Sequence, residues 1–449
     1  MLFPIRSTQS VTEAPHRMAD SRTPPSSVPV LVIGAGVHGL STAWHLAQAG
    51  ERVLVVDKIG VAAGASGIAC GVVRNNYFQP AMSDLMAACV EIWESDPEAF
   101  HYHGSGYIAL GPPAQESDLI EVRERQQRIG YPSEIYVGED EVRAHMSSLY
   151  YDWRAPGLTV CLHERAGGYA FNRESMFGLA DKARAAGAEI LPGVEVTGFH
   201  FDGSGAVTSV DTSAGSIQVE QVVVAVGPWI ASLWEMLGLP DRLDVHQPDG
   251  TVLEDRPMWT YWYLQEGELE IDPSDFVTDD GRSSPVLHVD SDQPLRTDDG
   301  RLITEEPWGV YFKPDRTTVQ GGAQPLPIGH EFQVDPYPTG SVEPGFADMW
   351  SAALSHCLER FEGGRQYYRQ VRSGGAGAFT ADNFPVFDYM RPNVYVAADS
   401  NHGYKMIAVG REVARVIRGE HSSLLAPFTY ERFQSGQLHP VSHSPYPWS

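Results

Sequence analysis

Three glycines, Gly34, Gly36 and Gly39, follow directly on an apolar run at residues 28–33, and an acid, Asp57, closes the next apolar run. That spacing suits the binding of a dinucleotide. Gly34 permits a tight turn, Gly36 lets backbone N–H groups approach a pyrophosphate, and Gly39 lets a helix press on the strand, so the helix N-terminus faces phosphate charge. Asp57 is then placed to accept from a ribose hydroxyl.

A strand–helix–strand unit must carry these residues. The spacing of Leu40, Ala43, Trp44 and Ala47 predicts a helix over about 39–49 with Gly50 as its stop, and residues 52–56 read as the second strand. A second block starts at Asn172, expected to cap a helix bearing Met176, Leu179, Ala180 and Ala183. Gly187 ends that helix before strands around Ile190 and at 194–196. Residues 222–226 read as a buried strand ending in the turn Gly227-Pro228-Trp229. The third block is a strand over 394–398, a loop to Lys405, and a helix with Val409, Val413, Val416 and Ile417 on one face, stopped by Gly419.

Between these blocks, residues 98–160 and 246–370 are rich in aromatics, prolines and alternation such as that of 259–264, the pattern of antiparallel sheet. The expected fold is α/β with an α+β second domain. A Rossmann-like nucleotide domain (28–97, 161–245 and 371–449) is interleaved with an antiparallel-sheet substrate domain (98–160 and 246–370). Residues 1–27 read as a disordered leader, with Met18 an alternative start, and the acidic stretch 266–299 as a surface excursion.

With 58 acidic against 32 basic residues the net charge is −26, which repels nucleic acid and anionic membranes and suits a cationic or zwitterionic small substrate. Lysine occurs only at 58, 182, 313 and 405. Cys70, Cys89, Cys161 and Cys357 show neither a metal-ligand nor a disulfide spacing, so no metal is expected and the cytoplasm is the natural compartment. No apolar run approaches the roughly 20 residues of a membrane span. His246, His288 and His356 have no partner at an informative spacing.

Four ordered motifs carry a family resemblance. They are the Gly34 to Gly39 fingerprint with Asp57; Gly64-Ala65-Ser66-Gly67 leading to Val72-Val73-Arg74-Asn75-Asn76-Tyr77; Gly227-Pro228-Trp229; and Asn401-His402-Gly403-Tyr404-Lys405. The chain after residue 28 resembles the D-amino-acid oxidase superfamily of flavoproteins, particularly its sarcosine oxidase and dimethylglycine dehydrogenase branch.

The resemblance implies FAD in an extended form. Its pyrophosphate would lie at Gly34, Gly36 and Gly39, its ribose at Asp57, its adenine against the Val196 backbone, and its flavin near Ser66, Gly67 and the loop His402, Gly403, Tyr404 and Lys405, with Lys58 and Gly227 as further cofactor-binding residues. Arg74 and Lys405 fall where such enzymes hold a substrate carboxylate, as a guanidinium fork and an ammonium point charge would. His402 stands beside them.

Relatives that attach flavin covalently use a cysteine near 373–380 or a histidine in the loop 66–70. This chain has neither, so binding is expected to be noncovalent, with Cys70 the one nearby alternative. The lysine that promotes reaction with O2 in the oxidases falls near Val319 or Gln320, leaving Lys313 as the substitute. Trp259, Tyr261 and Tyr263 on one strand face, with Trp308 and Tyr311 on another strand, form a candidate aromatic cage for an alkylammonium group.

The expected reaction is hydride transfer to flavin N5 from the C–H beside the nitrogen of an amino acid or N-methylated amino acid, giving an imine that hydrolyses, with O2 or another acceptor taking the electrons. Oxidation of a 2-hydroxy acid, a biosynthetic tailoring role, and a flavin subunit working with a partner are the alternatives.

Overall fold

The computed structural model describes residues 23–370, 374–398 and 402–444. The expected leader lies outside these residues as far as residue 22, and so do Ser373 and Asn401 of the motif segments.

The first strand, β1 (Ser27–Ile33), is aliphatic on both faces, as a strand covered on both sides must be. Val30 and Val32 enter one core while Leu31 and Ile33 enter another, none more than 5% exposed. β1 runs parallel to β2 (Val53–Asp57) on one side and to the strand Gly215–Val224 on the other. Glu189–Pro192 extends the sheet beyond β2, and Val394–Ala398 pairs with the later half of Gly215–Val224. Antiparallel strands Val196–Phe201, Val207–Thr212 and Val386–Arg391 complete eight.

The helix α1 (Val37–Gln48) packs on this sheet between Asn172–Ala186 and Ala408–Ile417. It starts two residues before the apolar spacing suggests, because Gly36 is its N-cap. Its contact with Ala408–Ile417 is backbone-close. A Cβ at Gly410 would stand 2.3 Å from the Thr42 nitrogen, and the buried Ser41 hydroxyl donates to the Ile407 carbonyl at 2.6 Å.

A second eight-stranded sheet has the order Tyr368–Arg369, Glu266–Leu269, Thr318–Ala323, Trp308–Asp315, Val286–Ser291, Tyr107–Gly111, Val160–Glu164, Ser133–Val137. All neighbours are antiparallel except Val286–Ser291 with Tyr107–Gly111. Helices Glu139–Leu149 and Phe346–Cys357 cover one face, and Glu116–Arg128 covers the other. A smaller sheet places Thr260–Tyr263 between Leu326–Gly329 and Ala376–Phe379.

The architecture is the expected mixed α/β one, with local corrections. Residues 266–299 are not a surface excursion: Leu269, Val286, Leu287 and Val289 are fully buried in the second sheet, whose alternation outweighs the local count of acids. The expected change of domain at 160/161 falls inside the strand Val160–Glu164, whose ladder belongs wholly to the second sheet. The segment from 371, expected in the nucleotide domain, pairs its strand Ala376–Phe379 with Thr260–Tyr263 instead. Asn172 is not a cap. Phe171 takes the N-cap position, and the Asn172 amide donates to the Ala69 carbonyl at 2.8 Å, tying the helix to the loop after Ser66. Among the described residues no helix is long and apolar enough to cross a membrane, and no cluster of His, Cys, Asp and Glu could hold a metal ion.

Candidate active site

Two cavities meet at the turn Gly403–Lys405. Gly403 and Tyr404 line the first; His402 and Lys405 line the second.

The first cavity opens over the N-terminus of α1 and contains Gly34, Gly36, Asp57, Lys58, Ser66, Val196 and Gly227. Gly34 has φ of +108°, and a Cβ there would stand 2.3 Å from the Ala225 carbonyl oxygen. Gly39 lies beneath the cavity, where a Cβ would come within 2.0 Å of the Gly34 oxygen, so helix and turn are pressed together. Ser66 Oγ accepts from the Val37 N–H at 3.1 Å, and a Cβ at Gly36 would crowd that oxygen at 3.2 Å. Gly67 lines neither cavity; its hydrogen faces the Ala62 oxygen, which a Cβ would meet at 1.8 Å.

Asp57 first organises the protein itself. One carboxylate oxygen accepts from the Ala35 N–H at 2.9 Å, and the other accepts from Ile59 and Gly60 at 2.9 and 2.6 Å. Lys58 is likewise engaged: its ammonium donates to both oxygens of Asp335 at 2.7 and 2.6 Å and lies 4.5 Å over the Trp229 ring. Trp229 Nε1 donates to the same carboxylate at 2.9 Å, so three residues far apart in sequence close one edge of the cavity.

The second cavity holds Arg74, His402 and Lys405 together with Tyr77, Trp262 and Phe379. The Arg74 guanidinium stands 4.6 Å from the Tyr77 ring centre and the Lys405 ammonium 6.0 Å from it. Arg74 also donates to the Asn76 carbonyl. The Lys405 carbonyl accepts from Trp93 Nε1 at 2.9 Å, Trp93 stacks on Tyr404, and the Tyr404 hydroxyl meets Ser175 Oγ at 2.7 Å. The turn that presents Lys405 is thus pinned from two helices.

Behind Arg74 lies Glu164, fully buried. Burial pushes its carboxyl up to about 7 against the stabilising Asn75 N–H at 2.9 Å, the Arg74 charge and the Gln126 amide at 2.6 Å. Another wall is polar: Tyr107 Oη meets His288 Nδ1 at 2.6 Å, His288 Nε2 meets Asp290 at 3.2 Å, and Gln115 donates to Asp290 at 2.6 Å.

A family model described as FAD dependent oxidoreductase matches residues 29–416. The chain belongs to this family. The oxidoreductase is 26% identical over 215 residues to peroxisomal sarcosine oxidase of Homo sapiens, covering 46% of this chain and 53% of that one. It is 27% identical over 252 residues to sarcosine oxidase subunit beta of Arthrobacter sp, covering 54% and 61%. The chain thus matches between half and two thirds of the length of these relatives. In fold it is similar to L-proline dehydrogenase from P.horikoshii (TM-score 0.72, 20% identity, 92% of this chain and 100% of that one). Glycine oxidase from Bacillus cereus ATCC 14579 is also similar (TM-score 0.64, 20% identity, 89% and 98%).

FAD is the cofactor of this oxidoreductase, and the first cavity fits it: a side-chain-free glycine cradle, a helix N-terminus and an acid at the end of β2 form one continuous surface. Cys70 lines neither cavity, and burial raises its thiol well above the ordinary range.

Several sequence-derived residues of the oxidoreductase lie elsewhere. Lys313 faces Gln320 in register but lines neither cavity; it is fully buried and donates to Asp315 at 2.7 Å. Trp259 and Tyr261 are core residues, not a cage. Trp259 packs edge-on to Trp234, and the Tyr261 hydroxyl donates to the Pro228 carbonyl at 3.0 Å. Tyr263 packs on Phe332, Trp308 on His356, and Tyr311 donates to Glu266 at 2.9 Å. The opposite face of the same strand supplies Trp262, whose ring sits 5.9 Å from Phe379 on the second cavity. His288, for which the sequence shows no informative partner, lines that cavity too, between Tyr107 and Asp290. Asp335 and Glu164 carry no sequence signal, since their partners lie far away in the chain, whereas Asp290 has one partner, His288, only two residues away and another, Gln115, far off.

Proposed function

We propose that this enzyme oxidises the C–N bond of a small amino acid or N-methylated amino acid to an imine, which then hydrolyses. The observation that carries this reading is the convergence of Arg74 and Lys405, from opposite ends of the chain, on one aromatic-walled cavity beside Tyr77.

A guanidinium fork fixes the plane of a carboxylate, and the ammonium adds attraction without constraining angle. Holding the carboxylate on these two groups orients the C–H bond beside nitrogen, so the protein contributes mainly alignment and field. FAD, when bound, supplies the two-electron acceptor, and O2 or another carrier takes those electrons on. Trp262, Phe379 and Tyr77 keep water from the reacting carbon. His402 borders the carboxylate site and shapes it through its edge-on contact with Tyr77 at 5.4 Å. Gly34, Gly36, Asp57, Ser66, Val196 and Gly227 are the residues we assign to holding FAD, with Gly403 and Tyr404 at the junction between the cavities. Relatives named for sarcosine oxidase and dimethylglycine dehydrogenase support the N-methyl part of the reading.

An anaerobic screen of amino acids, N-methylated amino acids, amines and 2-hydroxy acids for bleaching of the flavin absorbance tests this. Bleaching by an amino or N-methylamino acid is expected. Bleaching by 2-hydroxy acids alone would overturn it.

A further inference from the structure

The second cavity has a wall that comes from neither sheet. The segment 437–444 reaches it at its later half, where Val441, Ser442 and Ser444 line the cavity. Val441 is at the same time 82% exposed, so it stands at the rim where cavity meets solvent.

The crossing segment is held at two ends. At one end the His439 ring is buried between Phe384 and Phe428, 4.7 Å from each. At the other, the Asp118 carboxylate accepts from the His443 N–H at 2.7 Å, the Ser444 N–H at 3.0 Å and His443 Nδ1 at 2.8 Å. Asp118 is itself 5% exposed and belongs to the helix Glu116–Arg128. Gln79 donates to the Pro440 carbonyl at 3.1 Å, and Gln115 to Ser444 Oγ at 3.3 Å. The first anchor is apolar burial; the second is a set of hydrogen bonds gathered on one carboxylate. An end held by hydrogen bonds with few buried apolar contacts is the kind that can open at less cost than global unfolding.

We propose that residues 437–444 are the outer wall of the substrate chamber, locked by Asp118, and that this wall limits the size of the substituent the enzyme accepts. The inference rests on the reading of this cavity as the substrate chamber. The carboxylate is held at the inner end by Arg74 and Lys405, so the substituent on nitrogen or Cα is the part that meets Val441. The favoured substrate class is therefore an amino acid with a compact apolar substituent, and bulkier ones enter only when the strap lifts.

The test compares the full-length holoenzyme with a chain ending at Pro440, with Asp118→Ala, and with Val441→Trp. Acrylamide quenching of flavin fluorescence is measured first and needs no bound carboxylate. A rise of about threefold or more is expected in the shortened chain and in Asp118→Ala. Binding of acetate, benzoate and 1-naphthoate is then followed by perturbation of the flavin spectrum. Loss of the wall is expected to improve naphthoate over acetate by about tenfold, and Val441→Trp to weaken naphthoate by a similar factor. Unchanged quenching and unchanged size preference in the shortened chain would overturn the proposal. Opening in the shortened chain but not in Asp118→Ala would overturn the role of Asp118. If the shortened chain does not fold, Val441→Trp and Asp118→Ala decide. A holoenzyme that ignores acetate counts against the carboxylate site alone, while the quenching result still decides the wall.

Discussion

The Lys313 ammonium lies 2.7 Å from an Asp315 oxygen, with both side chains buried and Arg316 on the second Asp315 oxygen at 3.0 Å. Its charge is already matched within its own strand, which leaves Lys405 as the lysine on the second cavity and, on the proposed reading, the ammonium that promotes reaction with O2. Removing one partner of a buried pair costs about 3–5 kcal/mol. Lys313→Met is therefore expected to lower the melting temperature sharply yet leave the rate at which dithionite-reduced enzyme reoxidises in air within about twofold of wild type. Lys405→Met is expected to slow it. Loss of reoxidation in Lys313→Met protein that retains its FAD would reverse the assignment.

Arg74→Ala and Lys405→Met should each weaken a carboxylate substrate by about 1.5–3 kcal/mol, the range for a hydrogen bond to a charged group. Flavin content should not change, and an amide analogue should lose nothing. Steady-state kinetics on matched acid and amide substrates measure this, and equal losses on both would remove the two cations from carboxylate recognition.

If Arg74 holds the substrate carboxylate as proposed, Glu164 is expected to tie anion binding to pH. Its carboxyl, pushed up to about 7 by burial, is neutral on the acid side and charged above, and the charged form offsets part of the Arg74 field. Acetate has no amine to titrate, and its affinity is expected to fall as pH rises from about 6 to about 8. Glu164→Gln should abolish that step. Because the folded chain holds this proton more tightly than the unfolded one, the same group makes stability fall between roughly pH 4.3 and about 7. An acetate titration that rises with pH, or a step that survives in Glu164→Gln, would contradict this.

Asp335 closes the edge of the nucleotide cavity through Lys58 and Trp229. Asp335→Ala is expected to speed FAD release, read as the growth of free-flavin fluorescence on dilution, by about tenfold, and added salt, which screens the Lys58–Asp335 pair, is expected to speed release from wild type more than from the variant. Identical release rates would make the ion pair a bystander.

Much of the cofactor site is readable from sequence because each of its glycines answers a local demand of the backbone, and the acid ends a strand of obvious aliphatic period. Arg74 and Lys405 are readable only through family resemblance, since nothing local says that two cations so far apart share a cavity. The phase of 259–263 is not readable: alternation shows that the strand has two faces, but this strand is paired on both edges and aromatic on both sides, so the packed face and the cavity face look alike. Asp335 and the 437–444 wall escape for a related reason. Their partners, Lys58 and Asp118, lie hundreds of residues away, and a surface acid or a short polar segment carries no mark of what it closes.

The nucleotide sheet is stitched from distant stretches: β1 needs Gly215–Val224 beside it, and that strand needs Val394–Ala398. During synthesis, then, the fingerprint that emerges first waits longest for its surroundings. Until the ribosome has delivered residue 398 the central strands have a bare edge, and until residue 417 α1 lacks the helix that seats on Gly410. Such distant closures are slow, and a nascent chain holding two-sided apolar strands is prone to stick to its neighbours. Cofactor loading is therefore expected to follow the synthesis of residue 417, when the sheet and the helices around the fingerprint can all be in place.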